Sequence, residues 1–248
     1  MTERSRRYMF RPEDTMTILG IETATEHLGA ALIIEGSIRL ERYINSRSSH
    51  CELLTGFILE LSGEAGITPS SIDCISVSVG PGSFTGLRIG IATAMGLAYG
   101  LGISIAPVNT LAALARNAAE PGRLVCPLID ARRSDVYAGL YRVTDGVPDT
   151  VVEPAALPPD TLAGILSKTA KPVILTGPAA HLFKDRLETV YGSPLSCVPE
   201  QDAHPKALSV AELGLILFHS GGGVHPASIK PVYLRRSDAE IARNVRCS

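Results

Sequence analysis

The stretch Ser76–Gly102, SVSVGPGSFTGLRIGIATAMGLAYGLG, decides how the rest of the chain is read. Ile75, Val77 and Val79 alternate with Ser76 and Ser78, the two-residue period of a half-buried strand. A sharp loop follows, Gly80-Pro81-Gly82-Ser83-Phe84-Thr85-Gly86, in which Gly80 and Gly82 permit positive φ or close backbone approach. Ser83 or Thr85 can cap the helix that comes next, and Leu87 to Leu101 carries Arg88 as its only charge. Gly86, Gly90, Gly96 and Gly100 each weaken that helix by about 1 kcal/mol relative to Ala. Something must offset this. Gly90 and Ala94 share one face; Ala92, Gly96 and Gly100 share another at i, i+4 and i+8. Small residues at that spacing admit a neighbouring backbone, either from the chain's own domain or from a partner's helix.

Two other readings of the same stretch are weaker. Ile89 to Val108 is uncharged and reaches the roughly 20 residues of a membrane span. However, it is rich in Gly, and Ile103–Val108 reads as a strand closed by Pro107. The glycine loop lacks the Lys of a P-loop, and Gly80, Gly82 and Gly86 miss the dinucleotide G-x-G-x-x-G spacing by one residue.

Around this stretch the chain alternates strands and helices. Thr17–Thr23, Leu28–Ile34 and Ser37–Ile44 read as an antiparallel meander, with Glu35-Gly36 as a turn. Ser48–Ala65 reads as a helix with Leu53, Leu54, Phe57, Ile58 and Leu61 as its apolar stripe, capped by Ser48 or Ser49 with Glu52. Asp73–Val79 returns as a strand. A similar order recurs: a short helix Thr110–Ala119, strands Leu124–Asp130, Asp135–Val143 and Thr150–Val152, helix Pro158–Lys168, strand Pro172–Thr176, and a loop and helix Gly177–Val190. Two similar α/β lobes are therefore expected, 16–108 and 109–204, the first completed by a helix at 205–220. An N-terminal extension, 1–15, is expected to be disordered, and 221–248 to form a solvated basic tail.

Composition narrows the function classes. The 248 residues are 45% hydrophobic and 19% charged with net charge −2, so a sizeable core is expected and an autonomous tight grip on nucleic acid is not. Trp is absent and aromatics make up 5%, which argues against a base-stacking platform. Five scattered cysteines without a C-x-x-C fit a reducing compartment, and residues 1–15 lack the apolar core of a secretory signal, so a cytoplasmic location is expected. Cys74 and Cys126, in apolar runs, are expected in the core. The six histidines form no i, i+4 pair, so no metal or other cofactor is expected. Ser83 lacks the G-x-S-x-G frame of a serine hydrolase. Glu22 and Asp130 each end an apolar strand. Matching acids at the strand ends of duplicated lobes can face one cleft, which makes them, with Gly80 and Gly82, the candidate nucleotide residues; the alternative is a turn or capping role.

ILGIETATEHLGAALI, VGPGSFTGLRIGIATAMGLAYGLGI and PLIDARRSDVYAGLY together resemble the bacterial TsaB (YeaZ) family over most of Met16–Tyr141, and IKPVYLR (Ile229–Arg235) resembles that family's closing segment. The resemblance implies the actin-like ATPase (ASKHA, ribonuclease H-like) fold in two lobes. It also implies a scaffold role in making threonylcarbamoyladenosine beside the anticodon of tRNAs that read A-starting codons. The implied partners are the catalytic paralogue TsaD and the ATPase TsaE, with tRNA met through the complex, homodimerisation when the partner is absent, and no membrane. The catalytic paralogue carries paired metal-binding histidines on a helix; here the early helix holds only His50. The family usually has Asp where this chain has Glu22. The resemblance places the partner contact on the two helices of the first lobe, hence on Leu54, Ile58, Leu61, Arg88, Ala92 and Gly96. A competing reading is an ATP-dependent kinase-like or glycoprotease-like enzyme built on Glu22, Asp130 and the glycine loop.

Overall fold

The computed structural model describes residues 15–35, 38–45 and 50–235. The expected extension at 1–14, the Gly36 turn and the Ser48/Ser49 cap lie outside the described residues. Two five-stranded sheets organise the chain. The first holds β1 (Thr17–Glu22), β2 (His27–Ile34), β3 (Ile38–Asn45), β4 (Cys74–Gly80) and β5 (Ser104–Asn109) in the order β3-β2-β1-β4-β5. The second holds β6 (Leu124–Asp130), β7 (Val136–Thr144), β8 (Val147–Leu157), β9 (Val173–Thr176) and β10 (Ser196–Cys197), ordered β8-β7-β6-β9-β10. Strand sense repeats too. The first three strands of each sheet form an antiparallel meander, and the last two join in parallel. The α/β fold is thus the duplicated, actin-like arrangement of two ribonuclease H-like sheets.

Helices fill equivalent places in the two halves. α1 (His50–Glu64) and α2 (Phe84–Leu101) flank β4 in sequence as α4 (Pro159–Leu166) and α5 (Ala180–Tyr191) flank β9. Strand alternation sends Leu19, Ile21, Leu28 and Leu32 to one face of the first sheet, where they pack on α1 and α2. Ile18, Ala31 and Ile33 point to the other face and meet α6 (Ala207–His219). α3 (Thr110–Asn117) follows the first sheet but packs Leu111, Leu114 and Ala115 on Val125, Ile129 and Ile174 of the second. α6 follows the second sheet and packs on the first, so each half supplies a helix to the other. Arg116 of α3 and Glu212 of α6 join at 2.8 Å where the two helices meet.

Several expectations change in detail. Ile89–Val108 divides into helix and strand as expected, α2 stopping at Gly102, whose φ is +69°, and β5 returning to the sheet. Pro107 lies inside β5, opposite Val77; an edge strand tolerates the missing N–H. The short strand expected at Thr150–Val152 is the middle of an 11-residue β8. In β7, Leu140 and Tyr141 are both buried although neighbours should alternate, because the pairing with β8 shifts register at this point. Cys74 and Cys126 are both in the core. The segment after α6 is not a solvated tail. Val224 bridges Ile105 on the open edge of β5, and Ile229 enters the first lobe's core; Arg236, Arg243 and Arg246 lie outside the described residues.

Candidate interaction face

The glycine loop packs against the turn between β1 and β2. Ser83 N–H donates to the Ala24 carbonyl at 2.7 Å, and the buried Thr23 hydroxyl donates to the Gly86 carbonyl at 2.8 Å. A Cβ on Gly82 would meet Ala24 Cβ at 2.9 Å, and Cβ atoms on Gly86 and Gly90 would drive into Thr23. Gly80 combines a φ of +116° with a close approach to the Val232 carbonyl, 2.6 Å from where its Cβ would stand. These glycines let two segments about 60 residues apart touch backbone to backbone, which offsets the weak helix propensity of Gly86 and Gly90. Ser83 is the N-cap of α2, its hydroxyl accepting from Gly86 N–H at 3.2 Å.

The opposite face of α2 has no such compensation. Arg88, Ala92, Gly96 and Gly100 lie one turn apart and are exposed. A Cβ on Gly96 or Gly100 would meet nothing within 4 Å. Phe84 and Tyr99 remain 38% and 53% exposed on this helix, and only a third of its apolar length is buried. The Arg88 guanidinium lies 3.7 Å from the centre of the Phe84 ring and its Nε donates to the Tyr233 hydroxyl at 3.3 Å. Phe84, Thr85, Arg88, Ile89, Ala92 and Thr93 line a shallow depression of about 390 Å³. The sequence reading missed Phe84 and Tyr233. From sequence alone Phe84 belongs to the loop, whereas it is the first residue of a helix, and Tyr233 reaches the site from 145 residues away.

Leu54, Ile58 and Leu61 do not belong to this face. All three are buried with Leu32, Ile75, Val77 and Ile91 in the first lobe's core. The stripe at i, i+4 and i+7 is what anchors α1 to its own sheet, and each buried side chain contributes about 1.5–3 kcal/mol. The solvent side of α1 is carried by Thr55, Leu59 and Glu60, with Leu59 59% exposed.

The candidate nucleotide residues stand in different surroundings. Glu22 is fully buried; one carboxylate oxygen accepts from Ala24 N–H at 2.6 Å and the other is held by the Ser78 hydroxyl. Burial pushes the carboxyl up to about 7 against the two hydrogen bonds, which pull it down. Asp130, the equivalent residue of the second sheet, is exposed and accepts from Arg132 N–H at 2.7 Å. Gly80 and Gly82 are occupied by Val232 and Ala24.

Comparison with known proteins agrees with this architecture. The family model for TsaD, tRNA N6-adenosine threonylcarbamoyltransferase, matches residues 44–242. The tRNA threonylcarbamoyladenosine biosynthesis protein TsaB of Bacillus subtilis is 32% identical over 91% of this chain and 96% of its own length. The chain belongs to the TsaB family. TsaB of Escherichia coli is 28% identical over 90% of the chain and 96% of its own length. The structure of YeaZ from Pseudomonas aeruginosa superimposes with a TM-score of 0.79 at 31% identity, covering 88% of this chain and all of that one. Membership in the TsaB family ties the chain to tRNA threonylcarbamoyladenosine biosynthesis.

Proposed function

We propose that this chain is the non-catalytic, cytoplasmic scaffold subunit of the complex that makes threonylcarbamoyladenosine, and that it docks through the exposed face of α2 onto a catalytic paralogue of the TsaD kind. TsaE joins that pair, and tRNA is met through the complex. The observation that carries the reading is the asymmetry of α2. Its inward glycines admit the β1–β2 turn, whereas Gly96 and Gly100 face open space and weaken the helix with no gain inside the chain. A partner's helix approaching closely supplies the missing contacts, and Phe84 and Tyr99 add exposed apolar surface on the same helix. Without the paralogue, two copies of this chain pair through the same face. The burial of Glu22, both of whose carboxylate oxygens are taken by Ala24 and Ser78, supports a scaffold over an ATP-dependent enzyme.

The test is capture of a TsaD-type paralogue by Ala92→Arg and Gly96→Arg variants, with Leu182→Arg on the exposed side of α5 as control. An arginine on the α2 face blocks close approach and buries an unpaired charge, a cost of about 3–5 kcal/mol at the interface, so both variants lose capture and self-association while the control keeps both. Capture retained by folded Gly96→Arg would place the docking face elsewhere. The isolated chain shows no threonylcarbamoyl transfer to tRNA; a partner-free sample that modifies tRNA at the rate of the complex would make the enzyme reading correct.

A further inference from the structure

In open α/β sheets, ligands and moving parts gather in the crevice beyond the carboxyl ends of the parallel strands. The segment Ile229–Arg235 runs from one such end to the other. Ile229 is rooted in the first lobe's core. Val232 N–H donates to the carbonyl of Val79, at the end of β4, at 2.6 Å. Tyr233 lies against Phe84, ring centres 5.2 Å apart, and its hydroxyl accepts from Arg88. Arg235 then crosses to the second lobe. Its guanidinium donates to the carbonyls of Ala131 and Arg132, each at 3.1 Å, and lies 3.6 Å from the Asp135 carboxylate.

The turn it grips is unusual. Arg132, Arg133 and Ser134 have φ of 62°, 52° and 65°, three successive residues in the left-handed region without a glycine among them. L-residues with a Cβ disfavour that conformation. Inside the turn, Asp130 accepts from Arg132 N–H, Asp135 N–H donates to the Arg132 carbonyl and Ala131 N–H donates to the Asp135 carbonyl. Arg235 brings this turn a contact from the other lobe.

We propose that Ile229–Arg235 is a strap that couples the angle between the lobes to the shape of the α2 face, with Arg235 as its clamp and Tyr233 as its reporter at Phe84 and Arg88. When the clamp releases, the left-handed turn relaxes, the strap loosens from Val79, and Tyr233 leaves the Phe84–Arg88 pair. Coupling of this kind is reciprocal, so disturbing Tyr233 weakens the clamp as well. The inference goes beyond the docking reading, and its test needs no partner.

Amide hydrogen exchange of the full-length chain decides it, compared between wild type, Arg235→Ala and Tyr233→Ala. Arg235→Ala is expected to speed exchange by roughly tenfold at 131–135 and also at 84–88. Tyr233→Ala is expected to speed exchange at 84–88 and also at 131–135. Arg235→Lys, which keeps the charge but not the planar fork, falls between wild type and Arg235→Ala at both places. The proposal is overturned if each alanine variant changes only its own end of the strap. It is equally overturned if Arg235→Ala leaves 131–135 unchanged. Arg235 is partly exposed, so cooperative thermal unfolding of its variants is expected and confirms that the exchange is local.

Discussion

α2 and α5 occupy the same place in the two halves of the duplicated fold, and they are built from opposite materials. Along its 18 residues α2 carries Arg88 as its only charge. The 12 residues of α5 hold Lys184, Asp185, Arg186 and Glu188. Those charges are used at home. Arg186 makes a bidentate pair with Asp160 of α4 at 2.9 and 3.0 Å, and Lys184 stands 3.7 Å from Glu188. The outward side of α2 has instead Gly96 and Gly100, with nothing within 4 Å of either added Cβ. α5 thus ties its charges into ion pairs within its own half, and the outward side of α2 presents small residues around a single charge. The difference teaches that a repeated topology fixes where elements lie and leaves what they present to the side chains.

The strand ends show the same divergence. β1 delivers Glu22 into the core, whereas β6 delivers Asp130 to solvent. Ser78 and Ala24 enclose Glu22 because the glycine loop closes over the β1–β2 turn. The second half closes at a different point: its Gly177 loop packs on Leu128 inside β6, with Ala179 N–H donating to the Leu128 carbonyl at 3.2 Å, and the Asp130–Asp135 turn beyond it folds on itself and is held from outside by Arg235.

The largest way to break the asymmetry is to give the inner face of α2 a side chain. Gly86→Val places branched carbon against Thr23 and is expected to lower unfolding free energy by about 3 kcal/mol or more. Gly96→Ala, on the outer face, is expected to raise it by about 1 kcal/mol through propensity alone. Urea unfolding of both variants measures the contrast. A similar loss in both would mean that the outer face is packed within the monomer.

A smaller effect separates the two acids. The folded pKa of Glu22, about 7, lies above the ordinary 4.5, so the native state binds more protons than the unfolded chain between these values. Stability from this group is complete below pH 4.5 and is lost as pH rises through 7, in total about 3 kcal/mol. Glu22→Gln keeps an acceptor for Ala24 N–H and removes the proton, so it is expected to flatten this part of the stability–pH curve and to be more stable than wild type at pH 8. Asp130→Asn, exposed, is expected to change stability by no more than about 0.5 kcal/mol. Chemical denaturation at pH 5, 6.5 and 8 reads both; a wild-type curve as flat as that of Glu22→Gln would disprove the buried-acid account.

Much of this was legible before the structure. The alternation of Ile75, Val77 and Val79, the cap at Ser83 and the repeated order of elements are local signals, and they led to the two sheets and to α2 within three residues. The small residues at Ala92 and Gly96 stand on one exposed helix face because helical phase is a property of sequence alone. Phase does not say which stripe is inward when both are apolar, and so sequence alone does not reveal that Leu54, Ile58 and Leu61 anchor α1 to the sheet. The fate of Glu22 was hidden because its burial depends on Ser78, 56 residues on. Tyr233 and Arg235 were hidden for the same reason: a basic C-terminal stretch looks solvated until its long-range acceptors, Ala131 and Arg132, are known. The two-residue β10 carries too few residues to show a period.

The smallest expected effect concerns the seam where the last helix of the second half meets the first sheet. His204, just before α6, stacks on His27 at the start of β2, ring centres 4.3 Å apart and planes 11° from parallel, with Tyr43 of β3 tilted against it at 5.6 Å. Burial lowers the pKa of both rings; Glu26 opposes this at His27, while at His204 the nearby His27 and Lys206 reinforce it against Asp202. A histidine whose folded pKa lies below its unfolded 6.5 binds fewer protons in the native state, so stability is lost as pH falls through 6.5 toward the folded value. This sign is opposite to that of Glu22 over an overlapping window, and the two partly cancel in wild type. The Glu22→Gln background removes the cancellation. There, acidification from pH 8 to 5 is expected to lower stability, and His204→Phe, which keeps a ring to stack but cannot take a proton, is expected to reduce that loss. Asn117 Nδ2 bonds the backbone carbonyl of residue 204 and is untouched by the exchange. If the double variant loses as much stability on acidification as Glu22→Gln alone, the histidine stack is not a source of the pH dependence.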